Sequence, residues 1–165
     1  MIKDSNLIFW LPYVVFIIHS LEELPGFPRW ASRYFNPITT NKFAFSHIPL
    51  ILLVLLASYK ASTIGYHGGW VVLVTACAWQ FGVNALFHLA TTVIFREYSP
   101  GMVTAATVSL PASIYFMMTV WNENRLTGME MVQAIFWGTI IATAAIGVLF
   151  LHSRKGTDEQ EQYHT

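Results

Sequence analysis

Ser5-Asn-Leu-Ile-Phe-Trp-Leu-Pro-Tyr-Val-Val-Phe-Ile-Ile-His19-Ser-Leu-Glu22-Glu23 carries no charge until its last two residues, and both of those are glutamates. A run this long and apolar reads as a membrane-spanning segment, for which about 20 mainly apolar residues suffice. Its end is the informative part. On a helix His19 and Glu23 are four apart, and His19 and Glu22 three apart, so either carboxylate can share a face with the imidazole. Leu24-Pro25-Gly26 then stops the helix, because proline disfavours helical geometry in the residue before it and glycine permits the turn.

The rest of the chain repeats the apolar pattern. It has 165 residues, 55% apolar and 11% charged, against about 25% charged in a soluble domain. Four more charge-free blocks follow, Phe43 to Tyr59, Ala61 to Phe95, Tyr98 to Asn122 and Met131 to Ser153. The expected fold is all-α, an integral membrane bundle of five transmembrane helices. It forms one domain over 1–153, followed by a polar C-terminal tail, 154–165. The N-terminal run resembles a signal anchor and is expected to be retained. Net charge is zero, so there is no basic field for nucleic acid. The single Cys77 excludes an intrachain disulfide and a cysteine zinc site.

Helix 1 is expected over Leu7 to Glu23, with Pro12 in its first turns. Phe27 to Phe35 reads as a short interfacial helix, with Arg29 and Arg33 on one side and Trp30 and Tyr34 on the next. Helix 2 is expected over Phe43 to Tyr59, short for a span. Helix 3 is expected over Gly69 to Phe95, and helix 4 from Ser99 to Trp121, with Ser99 as N-cap, Pro100 as first helical residue and Pro111 as a kink. Helix 5 is expected over Thr127 to His152. Lys3, Lys60 and Arg125 fall on one side, and Arg29, Arg33, Lys42, Arg96, Arg154 and Lys155 on the other. That imbalance predicts an inner-membrane protein with its N-terminus outside and its C-terminus in the cytoplasm.

Parity of crossing gives an argument independent of orientation. The end of helix 1, the start of helix 2, the end of helix 3 and the start of helix 4 share one membrane face. His19, Glu22, Glu23, His47, Asn84, His88, Ser99 and Thr104 lie there. At about 1.5 Å per residue, His19 and His47 sit roughly 7 Å inside their helix ends and His88 roughly 12 Å. Ionisable groups at that depth face a bundle interior or a wet cavity. Two adjacent carboxylates at a helix C-terminus, where the dipole is negative, need a positive partner. That partner is a metal ion, a protonated histidine, or Arg29 and Arg33 folding back. Nitrogen and oxygen donors without thiolate suit zinc first, then iron or manganese.

Bland readings stand beside each of these. The glutamate pair can be a solvated membrane boundary, Asn84 and His88 a helix-packing pair, and Ser46-His47-Ile48-Pro49 a polar helix start. Ser99-Pro100-Gly101 can be a plain cap, or can present amides to an anion. Gln80 can bridge helices, and His67, His152 and His164 read as uninvolved.

His19-Ser20-Leu21-Glu22-Glu23, Asn84-Ala85-Leu86-Phe87-His88 and Tyr98-Ser99-Pro100-Gly101 together resemble the HXXEE-motif family of small bacterial and archaeal membrane proteins. The resemblance runs from helix 1 through helix 4. It implies a membrane protein suggested to be enzymatic because of its polar motifs, and it supports the location of the site without indicating a substrate.

The leading expectation is a metal-dependent hydrolase of a lipid or amphiphilic molecule near the cytoplasmic face. His19, His88, Glu23 and His47 would hold the ion. Glu22 or Glu23 would act as general base on a metal-bound water, and Asn84, Ser99, Thr104, Arg29 and Arg33 would support substrate. One alternative is metal-free acid/base isomerisation or cyclisation of an isoprenoid-like substrate, with Trp79 and Phe87 flanking a cation. The other is a proton- or metal-coupled transporter subunit, which five helices would serve best as a homo-oligomer.

Overall fold

The computed structural model describes residues 4–64, 67–147 and 149–150. A 3-10 stretch, Asp4–Trp10, leads into α1 (Leu11–Glu23), followed by α2 (Phe27–Tyr34), α3 (Thr40–Ile64) and α4 (Gly69–Phe95). The span α5 (Met102–Asn122) contains a π-helical segment, Ala105–Ser109, and α6 covers Gly128–Gly147. No strand occurs among the described residues. Lys3, His152, Arg154, Lys155, His164 and the expected tail lie outside them.

Four helices, α3 to α6, are long and apolar enough to cross a membrane. Asn6–Glu23 taken with Phe27–Tyr34, bent by 70° between them, would make a fifth. Large apolar side chains such as Val93, Phe45 and Leu21 stand exposed on several helices. Helices that are apolar all round belong in lipid rather than water. The protein is therefore a helical membrane protein.

The central helix is α4. Half of its spanning window is buried inside the bundle, against 22% or 28% for the other three. It packs on α3, α5 and α6, and its composition explains why. Ala76, Cys77, Ala78 and Ala85 are small and fully enclosed, so neighbouring backbones can approach closely. The tightest approach is at Gly138 of α6, where a Cβ would come within 2.5 Å of the Ala76 carbonyl oxygen and 2.9 Å of Trp79 Cδ1.

Several expected boundaries move. Helix 2 extends to Thr40–Ile64, 25 residues, because Lys42 and Lys60 stay in the helix instead of ending it. Lys60 Nζ lies 6.0 Å from the centre of the Trp70 ring, as a snorkelling ammonium does. The α part of helix 1 begins only at Leu11, with Pro12 in its first turn. Helix 4 is not capped by Ser99. It starts at Met102 after Gly101, whose φ is 100°, and Ser99 instead closes the preceding turn through its carbonyl. Ahead of Pro111 the helix widens into the π segment. That arrangement accommodates a ring that cannot donate to the carbonyl four residues earlier. Trp30 does not face the headgroup boundary but is buried with Phe27, Ala31 and Phe43.

Candidate functional site

Glu23 sits at the last turn of α1, where the Leu24–Gly26 break prevents the helix from carrying it out to solvent. Its carboxylate is 5% exposed and meets three imidazoles from three helices. His88 Nε2 of α4 is 2.9 Å from Oε1, His19 Nε2 of α1 is 3.6 Å from the same oxygen, and His47 Nε2 of α3 is 3.3 Å from Oε2. Ligand atoms of His19, Glu23 and His88 all lie within 4.8 Å of one another. Two donors each about 2.0–2.2 Å from a tetrahedral ion are roughly 3.3–3.6 Å apart, so this spacing is close to that of a coordination shell.

The far nitrogens are held in place. His19 Nδ1 lies 2.8 Å from Thr104 Oγ1, and that hydroxyl is 3.2 Å from the Gly101 carbonyl. A hydroxyl with one proton, donating it to the carbonyl, accepts from Nδ1–H and leaves the lone pair on His19 Nε2. Asn84 Nδ2 is 3.0 Å from that Nε2 and donates to it. His47 Nδ1 is 2.9 Å from the Phe43 carbonyl oxygen. Because a carbonyl only accepts, this nitrogen carries its proton. His88 Nδ1 is 3.1 Å from Ser99 Oγ. His88 Nε2 is buried and, although near Glu23, is not aligned to hydrogen-bond with it or any other described group. Partners on the far nitrogen that fix tautomer and ring orientation are typical of metal-ligating histidine.

The turn before α5 forms the wall of the cluster. A Cβ on Gly101 would lie 2.8 Å from His88 Cε1, 2.9 Å from Glu23 Cγ and 3.1 Å from His19 Cε1. Glycine is thus required there twice, by space and by its positive φ.

Glu22 takes a separate place. One residue on from Leu21, it points about 100° away from Glu23 and reaches the start of α5. Its Oε1 accepts from the Val103 amide at 3.1 Å and its Oε2 from the Thr104 amide at 2.7 Å, and the Tyr98 hydroxyl also donates to it. Burial, then the neighbouring Glu22 carboxylate, push the Tyr98 phenol up to about 12, so Tyr98 remains a donor. The amides available to an external anion at this helix start are therefore occupied by a side chain of the same protein.

Neither arginine joins the cluster. Arg29 is exposed, and Arg33 pairs with Glu97, which Tyr34 also contacts. Arg29 and Arg33 do not fold back onto the glutamates, and the groups that meet Glu23 are the three imidazoles. His67 lies at the opposite face, 3.2 Å from the Arg125 carbonyl. Trp79 is also remote, donating to Thr139 at 2.9 Å.

A cavity of about 360 Å³ opens beside the cluster. Glu23, His47 and Asn84 form its polar end, and Phe16, Phe81 and Phe87 are among its apolar walls. Gly101 and Gln80 are the contributors that sequence reasoning missed. The Ser-Pro-Gly turn pointed to Gly101, but only as part of a cap.

A bundle with an apolar exterior and a buried cluster of three histidines around one glutamate, beside a cavity, defines a helical membrane protein with a built polar site. The chain belongs to the HXXEE-motif family. The family described as "Protein of unknown function with HXXEE motif" matches residues 10–116. Its motif is present as His19-Ser20-Leu21-Glu22-Glu23. The Uncharacterized protein YrkK of Bacillus subtilis (strain 168) is 26% identical over 161 residues, 87% of this chain and 95% of the relative. No solved structure matches the chain.

Proposed function

We propose that the protein is a metal-dependent membrane enzyme that hydrolyses a lipid or amphiphilic substrate. The observation that carries this reading is the convergence of His19 Nε2, His88 Nε2 and Glu23 Oε1, with the buried His88 Nε2 2.9 Å from the carboxylate oxygen. Two imidazole nitrogens facing a carboxylate repel it unless a cation or proton lies between them. Two His and one Glu, with a fourth position open, form the donor set of catalytic zinc sites. Iron or manganese would accept the same donors.

In this reading His19, His88 and Glu23 hold the ion, and Asn84 yields its bond to His19 Nε2 when the ion arrives. When bound, the ion would lower the pKa of a coordinated water toward neutrality. His47 holds Oε2 of Glu23 and faces the cavity, so its Nε2 can take a proton and keep it against the carboxylate. Glu22 acts as a positioning residue, clamping the start of α5 so that Thr104 and Gly101 stay against His19. Ser99 orients His88. The apolar cavity walls accept the chain of the substrate, and the polar end takes its head. The reading also includes five crossings, with α1 as a span and α2 along the boundary, the N-terminus outside and the C-terminus in the cytoplasm of the inner membrane.

The test is product release by zinc-reconstituted protein from ester, amide and phosphoester lipids in micelles. Release that disappears in His88→Ala and after chelation supports the reading, and release indifferent to both overturns it. One observation favours a second reading. The His47–Glu23 pair faces an apolar cavity and can serve as the acid/base couple of a metal-free isomerase or cyclase of an isoprenoid-like substrate. Turnover by metal-free protein would favour it.

A further inference from the structure

We infer that the cavity is loaded sideways from the lipid leaflet through a portal between α3 and α6, and that it takes one chain of an anionic lipid whose head is held by Lys42 at the rim. This inference rests on the cavity being the substrate chamber of the His19–Glu23–His88 site.

The opening lies where wall residues of the cavity are also exposed. Ser46 of α3 and Ala144 and Ala145 of α6 line the cavity, and all three are exposed at the protein surface. Both helices pack on α4 but make no substantial contact with each other, so small side chains border a slot between them. Both are also long and apolar enough to cross a membrane. Ser46 lies six residues beyond Thr40, the first of α3, about 9 Å along the axis, and Phe45 and Ile48 beside it stand exposed. The slot therefore opens at acyl-chain depth rather than into bulk water. The Ser46 hydroxyl donates to the Phe43 carbonyl at 2.7 Å, so its proton is already used within the helix and does not obstruct an apolar chain.

Size limits how much of a lipid enters. A cavity of about 360 Å³ has room for about a dozen water-sized groups at ~30 Å³ each, which is one acyl chain and not two. Phe16, Leu50 and Phe81 form its inner wall, and Glu23 and His47 lie closer to the membrane face on the same helices. A chain ending at the inner wall thus brings its junction with the head beside the cluster. Charge then selects the head. Lys42 is exposed and four residues before Ser46, so it stands over the portal on the same side of α3, about one turn nearer the membrane face. Lys42, Arg29 and Arg96 are exposed at this face, and none forms an ion pair among the described residues. The described carboxylates there are all engaged: Glu22 by the α5 amides and Tyr98, Glu23 by the imidazoles, and Glu97 by Arg33 and Tyr34. The described part of this face therefore carries surplus positive charge, which an anionic head complements.

The test is photolabelling of the full chain in phosphatidylcholine nanodiscs with two probes, dodecanesulfonate and dodecanol, each carrying a diazirine at the far end of its chain. Neither has a hydrolysable bond, and a sulfonate is a poor metal ligand, so labelling depends on neither turnover nor the ion. Wild type should be labelled at Phe16, Leu50 or Phe81, about fivefold more by the sulfonate than by the alcohol. Ala145→Trp should lose those labels for both probes while keeping labels on exposed Phe136, and Ser46→Trp repeats the block from the other rim if the first variant does not fold. Lys42→Gln should bring the two probes level while still admitting them. The inference is overturned by unlabelled inner-wall residues in wild type, by labels there that survive both tryptophans, by equal labelling with the two probes, or by a sulfonate preference that persists in Lys42→Gln. Zinc content of the same samples reports separately on the cluster. Inner-wall labelling of zinc-free protein upholds the portal while removing the metal reading, and zinc-loaded protein without those labels does the reverse.

Discussion

Gly101→Ala should be among the most damaging single-methyl additions in this chain. Two independent penalties fall on it. The residue sits at φ 100°, ψ −13°, where an L side chain costs roughly 1–2 kcal/mol. The added carbon would also stand 2.8 Å from His88 Cε1, 2.9 Å from Glu23 Cγ and 3.1 Å from His19 Cε1. These atoms cannot swing freely, since both rings are tethered through Nδ1 to Ser99 and Thr104. Overpacking of this kind costs about 1–3 kcal/mol, so the sum is about 2–5 kcal/mol against a typical domain stability of 5–15 kcal/mol. Thermal unfolding in detergent reads this loss. Metal affinity, measured on whatever fraction folds, should fall at least tenfold because the donors are pushed apart. Gly128→Ala is the control, since nothing lies within 4 Å of its Cβ. If Gly101→Ala matches Gly128→Ala in stability and metal affinity, the packing of the Ser-Pro-Gly turn against the cluster is wrong.

Other substitutions separate the roles of neighbours. Glu22→Ala should cost about 1–2 kcal/mol through loss of the α5 cap and leave metal stoichiometry intact, whereas Glu23→Gln should lose the metal. Elemental analysis of the two variants compares them directly. Ser99→Ala should weaken metal binding about 10–100-fold with little change in unfolding temperature. Gly138→Val should separate α4 from α6, given the 2.5 Å that even a Cβ would leave to the Ala76 carbonyl, and lower the unfolding temperature by several degrees. The Tyr34 hydroxyl, and then Arg33, hold the Glu97 carboxyl below its ordinary value of 4.5. With the folded value depressed, the stabilisation from this contact is complete above that ordinary value and disappears as pH falls through the folded one. Hydrogen exchange in α2 should therefore rise as pH falls below the ordinary 4.5, and Glu97→Gln should show that exposure at all pH values.

Much of the bundle was legible because lipid imposes one simple rule on sequence, and Gly69–Phe95 was readable to both ends. The rule failed where a charge was taken as a boundary. Lys42 and Lys60 have stems long enough to stay helical and place their ammonium groups at the edge, so α3 is longer than its charge-free block. The meeting of His19, His47 and His88 with Glu23 followed from crossing parity, which requires only the order of the helices. Adjacent Glu22 and Glu23 could not be assigned to different tasks from sequence, because that division depends on which neighbour each direction meets. Ser99 looked like a cap because it precedes proline at a helix start, but the positive φ of Gly101 delays the helix and frees the Ser99 hydroxyl for His88. Gln80 was visible as a deep polar residue. That its Oε1 finds no hydrogen-bond partner among the described residues depends on how neighbouring helices pack on α4, which no local pattern encodes.

The central claim is that His19, His88 and Glu23 hold one metal ion. The most direct measurement is elemental analysis of purified wild type beside His19→Ala and His88→Ala, each verified as folded by circular dichroism. The account predicts close to one zinc, iron or manganese per wild-type chain and its loss in both variants. Folded wild type that retains no metal after reconstitution, or variants that keep the full wild-type amount, would contradict it.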